Sequence, residues 1–177
     1  MGQNVARKLI AAHLVSGEPT PGQEIALRID QTLTQDATGT LVMQELEAIG
    51  LDRARTDVSV QYVDHNLLQA DERNAEDHEF LRSAARRYGL WFSKPGNGVS
   101  HPTHMQRFGV PGATLAGSDS HTCAVGSLGM LAIGVGGLDV ARAGVGVVPN
   151  AWDVGRLDDP VRCRPVPGGR PRRLGRR

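Results

Sequence analysis

"TLAGSDSHTCAVGSLGM" runs from Thr114 to Met130. Its first residues form a short apolar run that fits a buried strand. Asp119, Ser120 and His121 follow directly, and small residues come next. A strand that ends on a carboxylate, a hydroxyl and an imidazole is either turning or walling a site. The same arrangement recurs along the chain. Glu24 to Ile29 alternates like a strand and gives way to the polar loop "TLTQDATGT", with Gln35 and Asp36 near its centre. Val58, Val60 and Tyr62 keep a period of two up to Asp64 and His65. "GLWFSKPGNG" reads as a short strand and a turn, with His101 and His104 just beyond.

Helical spacing separates these runs. Val5, Leu9 and Ile10 place a helix over residues 4 to 15. Leu41, Val42, Met43, Leu46 and Ile49 place a second over 40 to 49, stopped by Gly50. Phe80, Leu81, Ala84, Ala85 and Tyr88 stripe a third over 74 to 88. Strands alternating with helices predict an α/β fold: three layers, α/β/α, around a largely parallel sheet. Ligands of such sheets bind beyond the carboxyl ends of the strands. All four polar clusters fall there, which predicts one shared site.

The chain has 177 residues, 40% of them hydrophobic and 22% charged, an ordinary globular balance with room for a core. No apolar run is long enough to span a membrane, and the N-terminus lacks the apolar centre of a signal peptide. Two cysteines far apart, Cys123 and Cys163, do not make a disulfide scaffold, which predicts a cytoplasmic protein.

Each cluster has a plainer reading. Asp64–His65 fits an Asx turn and helix cap; it also fits a carboxylate orienting a proton-donating imidazole. His101-x-x-His104, with His121 and Cys123 nearby, allows a zinc site but matches no standard spacing. Ser120 and His121 on extended backbone point to opposite sides, which argues against a shared nucleophile proton. "IGVGGLDV" at 133–140 lacks a phosphate-loop spacing and fits tight backbone packing.

Taken together, "TQDATGT" at 34–40, "DHN" at 64–66, "GNGVSH" at 96–101, "GSDSHT" at 117–122 and "IGVGG" at 133–137 resemble the aconitase family. That family includes aconitate hydratase, homoaconitase and the large subunit of 3-isopropylmalate dehydratase. The resemblance covers residues 1 to 141, and "HNLLQ" and "SLGMLAIGVGG" look nearer to bacterial aconitate hydratases. It implies an incomplete first domain of a hydro-lyase that interconverts hydroxy-tricarboxylic acids through an enoate. By motif matching, Asp64 and His65 protonate the departing hydroxyl and His101 pairs with Asp119. His121 pairs with an acid further along a complete chain, and Gln35 and Ser120 bind substrate carboxylate. The family carries a [4Fe-4S] cluster on three cysteines in later segments, including a Cys-x-x-Cys. Neither Cys123 nor Cys163 matches one, so no metal ligand is expected in this chain. The arginines of the family's later domains and the serine base of its C-terminal domain are also unmatched.

Residues 142 to 177 hold nine arginines against three aspartates, about +6, which leaves about −5 for the rest. The segment is rich in Arg, Pro and Gly and has no helical or strand period. Out-of-frame reading of GC-rich DNA gives that composition, so an irregular, frameshift-derived tail on a truncated, inactive fragment is expected. The alternatives are a subunit completed by a separate chain, a basic-tailed nucleic-acid-binding module, or a small zinc protein. The favoured reading expects a small hydroxy-acid substrate, no membrane and no specific nucleic acid.

Overall fold

The computed structural model describes residues 3–21 and 23–148. Helix α1 (Val5–His13) leads into β1 (Leu14–Ser16) and β2 (Ala26–Arg28). The central unit then follows as β3 (Gln31–Thr34), α2 (Asp36–Ile49), β4 (Val58–Tyr62), α3 (Glu72–Tyr88), β5 (Trp91–Ser93), α4 (Ser100–Phe108) and β6 (Thr114–Gly117). A 3₁₀ helix (Ser120–Leu128), β7 (Leu131–Gly134), α5 (Gly137–Ala143) and β8 (Val147–Val148) complete it. Five strands form a parallel sheet in the order β5-β4-β3-β6-β7. Strands β1, β2 and β8 form a small antiparallel sheet beside it.

The expected three layers are present. On one face α2, α3 and α5 pack through Val42, Met43, Leu46, Leu81, Ala84 and Val140. On the other, Leu33, Val60, Tyr62 and Leu115 meet Val125 and Met130, with Met105 and Phe108 of α4 against them. Alternate strand residues point to opposite faces, so each strand feeds both layers. The chain enters the sheet at its centre, runs outward through β4 and β5, then returns to β6 on the far side of β3. The gap between the carboxyl ends of β3 and β6 is the switch point, where such sheets bind ligands.

One expectation changes, and two stretches with no expected element gain one. The polar loop at 32–40 is in fact the buried strand β3 followed by the start of α2. Thr32 bonds Ser59 at 2.6 Å and Thr34 bonds Gln61 at 2.6 Å, so polar strand residues are satisfied by their neighbours in β4. His101 and His104 sit on a helix, α4, which has no clear apolar period in the sequence. The small-residue run contains β7: a Cβ at Gly134 would lie 2.5 Å from Asp119 O and 3.1 Å from Ser120 Cα, so glycine lets β7 approach the site loop. This agrees with packing rather than phosphate binding. Helix α5 crosses the expected boundary at residue 141, and β8 lies beyond it. The expected irregular tail from 149 onward lies outside the described residues. No described helix is long and apolar enough to cross a membrane.

Candidate active site

Gln35 follows β3 and caps α2, its Oε1 accepting the N–H of Ala37. That leaves its amide nitrogen free to face across the switch point, 3.5 Å from Asp119 Oδ2. Asp119 follows β6 and caps the 3₁₀ helix, accepting the N–H of His121 on Oδ1 at 2.7 Å. Three imidazoles surround the same carboxylate. His101 Nε2 lies 3.3 Å from Oδ1, His121 Nδ1 lies 3.1 Å from Oδ1, and His65 Nε2 lies 3.7 Å from Oδ2. The expected residues Gln35, Asp64, His65, His101, Asp119, Ser120 and His121 therefore gather at one sheet edge.

His65 is held from its other nitrogen. Its Nδ1–H donates to Asp64 Oδ1 at 2.8 Å, while Asp64 Oδ2 accepts the N–H of Ser100 at the start of α4 at 2.6 Å. Asp64 thus fixes the His65 tautomer and ties the loop after β4 to α4. Helix α4 presents His101 as a buried residue, 6% exposed, whose Nε2 has no hydrogen-bond partner among the described residues. Its approach to Asp119 is an ion-pair distance without hydrogen-bond geometry.

The electrostatics separate the histidines. Burial alone would lower the pKa of His65, but the hydrogen bond to Asp64 and the charges of Asp64, Asp36 and Asp119 raise it above the ordinary imidazole value. Burial lowers the pKa of His101, and the nearby carboxylates do not recover it. Burial alone would raise Asp119, yet the N–H and ring of His121 and the charge of His101 hold it below the usual carboxylate range. One imidazole is biased toward its charged form and its neighbour toward the neutral form, around an ionised acid.

One expectation about Ser120 and His121 is corrected. The backbone there is a 3₁₀ helix, not extended, so Ser120 Oγ comes 3.4 Å from His121 Nδ1. Among the described residues the acid facing His121 is Asp119. The His-x-x-His pair does not converge. His104 is fully buried, sharing hydrogen bonds with Tyr62 Oη at 3.0 Å and Gln31 Oε1 at 2.9 Å, and burial pushes its pKa down to about 4. Among the described residues, the candidate metal group is Asp36, Asp64 and His65, with ligand atoms within 4.8 Å of one another. Those atoms already bond to each other or to backbone N–H groups.

Sequence reading placed Asp36 beside Gln35 but gave it no role. In the structure its carboxylate accepts the N–H groups of Asp64, His65 and Asn66. The only signal was its place straight after a strand end. Behind it, His78 of α3 walls a cavity of about 600 Å³ that also meets Gln69, Lys94 and Asn97.

The aconitase family (aconitate hydratase) model matches residues 7–147. The chain is 34% identical over 146 residues to the 3-isopropylmalate dehydratase large subunit of Aquifex aeolicus, covering 81% of this chain and 34% of that protein. It is 35% identical over 166 residues to the mitochondrial aconitate hydratase of Saccharomyces cerevisiae, covering 84% and 20%. The corresponding enzyme of Candida albicans is 36% identical over 151 residues, covering 76% and 19%. Both branches match at similar identity, so similarity does not choose between them. The chain spans about a third of the dehydratase subunit and a fifth of the aconitate hydratases. With the family's motifs gathered at the carboxyl end of its sheet and the match running through the whole of that sheet, this chain belongs to the aconitase family.

Proposed function

We propose that the chain supplies the proton-handling face of a hydro-lyase site. Its substrate would be a small hydroxy-polycarboxylate, dehydrated through an enoate, as between citrate and isocitrate. The observation that carries the reading is Asp119 at the switch point with three imidazoles turned toward it. His65 is the acid. Asp64 holds Nδ1, so Nε2 gives its proton to the departing hydroxyl: the C–O bond breaks, water leaves, and the ring becomes neutral. The raised His65 pKa favours the charged form this needs. His101, biased toward neutrality, pairs with Asp119 and keeps that carboxylate oriented. Gln35 and Ser120 donate hydrogen bonds to substrate carboxylate, with His121 on the solvent side.

The described residues do not fit the family's [4Fe-4S] cluster. Such a cluster takes thiolates. Cys123, the cysteine among the described residues, is exposed with its Sγ turned to Ser120 O at 3.6 Å, and the whole chain has two cysteines. This chain's own chemistry is therefore proton transfer and carboxylate recognition. The carbon-bound proton must go to a base outside the residues named here. A second reading, completion of the site by another chain, is favoured by its open side: the His121 side chain is 81% exposed and that of His65 42%.

Titration of the full chain with tricarballylate, a tricarboxylate with no hydroxyl to lose, tests this reading. The ring signals of His65, His101 and His121 should move together and saturably, and His101→Phe should weaken binding at least tenfold. Binding that leaves those signals still would overturn it. Hydration of cis-aconitate by the isolated chain would overturn the need for a completing segment.

A further inference from the structure

We propose that Asp36 is a positioning residue for His65, acting as a built-in anion in a backbone nest, with the His78 imidazole behind it. The proposal rests on the reading of His65 as the acid. Asp36 opens α2 and its side chain is 1% exposed. Oδ1 accepts the N–H groups of Asp64 and His65, each at 2.9 Å, and Oδ2 accepts that of Asn66 at 2.7 Å. Successive N–H groups converging in this way form a concavity that takes an anion. Here the anion is part of the chain. The turn at 64–66 cannot rotate without breaking charge-assisted bonds in a buried place. This fixes the path of the backbone from which Asp64 and His65 project.

Asp36 also acts through space. Its Oδ1 lies 4.0 Å from His65 Nδ1, close enough for its charge to favour the imidazolium. The other charged or titratable groups facing His65 are Asp64, Asp119 from the loop after β6, and His101 from α4. Burial alone would raise the Asp36 pKa, but the backbone N–H groups outweigh it, so the carboxylate stays ionised.

His78 supplies the independent observation. It is 8% exposed, and its Nε2 has no hydrogen-bond partner among the described residues yet lies 3.7 Å from Asp36 Oδ2. Its Nδ1 meets Gln69 Nε2 at 2.7 Å. An amide nitrogen only donates, so with Gln69 in this assigned orientation Nδ1 accepts and the proton sits on Nε2, facing Asp36. A neutral imidazole dipole thus backs the carboxylate from inside the domain.

The test uses the full, isotope-labelled chain. In the wild type, acidification should move the amide signals of Asp64, His65 and Asn66 together. They should share one midpoint, below the usual carboxylate range, as Asp36 protonates. In Asp36→Asn these amides should exchange faster with deuterium, and the His65 ring should titrate at lower pH than in the wild type. Separate midpoints for the three amides, or a folded Asp36→Asn protein with unchanged His65 titration, would overturn the proposal. If the variant does not fold, the wild-type midpoints still decide. None of these readouts needs turnover: if tricarballylate leaves the histidines still while the amide signals behave as stated, the hydro-lyase reading fails and the positioning role stands.

Discussion

Asp119 does at least three things with two oxygens. It caps the 3₁₀ helix, faces the Gln35 amide across the switch point, and places negative charge among three imidazoles. The last role gives a direct prediction. The Asp119 charge supports the protonated forms of both His65 and His101. Asp119→Asn should therefore lower the titration midpoints of both rings, with His101 remaining the lower. Histidine ring signals followed against pH check this; midpoints unmoved in a folded variant would mean that the carboxylate does not face them in solution. Asp119 was legible in the sequence because its neighbours are themselves polar and follow a strand. Asp36 was not, because its partners are backbone N–H groups about thirty residues away, and backbone donors leave no mark in side-chain composition.

Helix α4 and strand β3 share a buried polar core. His104 stands between Tyr62 and Gln31, and Gln31 Nε2 donates to Phe108 O at 2.8 Å. Gln31 Oε1 accepts from His104 Nε2–H, and Nδ1 accepts from the Tyr62 hydroxyl, so the ring must be neutral. Burial pushes the His104 pKa down to about 4. In the unfolded chain it returns to about 6.5. The unfolded state therefore binds the proton first as pH falls. Stability should drop between pH 6.5 and 4, by up to about 3 kcal/mol at 1.36 kcal/mol per pKa unit. Thermal unfolding of the wild type and His104→Gln across this window is the check: the variant should start less stable but fall less steeply, and parallel curves would refute the assignment. The same polar core explains why β3 was misread. Gln31, Thr32 and Thr34 look like loop residues until β4 and α4 supply their partners. Leu33 alone, 0% exposed, betrays a buried strand, and one residue makes no period. Strand β4 kept its alternation of Val and Tyr and was read correctly.

Across the whole molecule, the strand order decides where the chemistry sits. Entry at β3 and return through β6 bring Gln35 and Asp119, 84 residues apart in sequence, to a 3.5 Å approach. The cysteine count sets a limit at the same scale. Anaerobic reconstitution with iron and sulfide should leave well under four irons per chain, since two cysteines cannot provide the three thiolates the family uses. Near-stoichiometric [4Fe-4S] on the isolated chain would contradict this. By itself the sequence determined the α/β class, the strand-end position of most site residues and the family, because apolar period and local polar clusters are carried by neighbours in the chain. The tertiary structure decided the rest. Which carboxylate each histidine faces, which ring favours its proton, and what holds the turn at 64–66 all depend on contacts between segments that only the switch in strand order brings together.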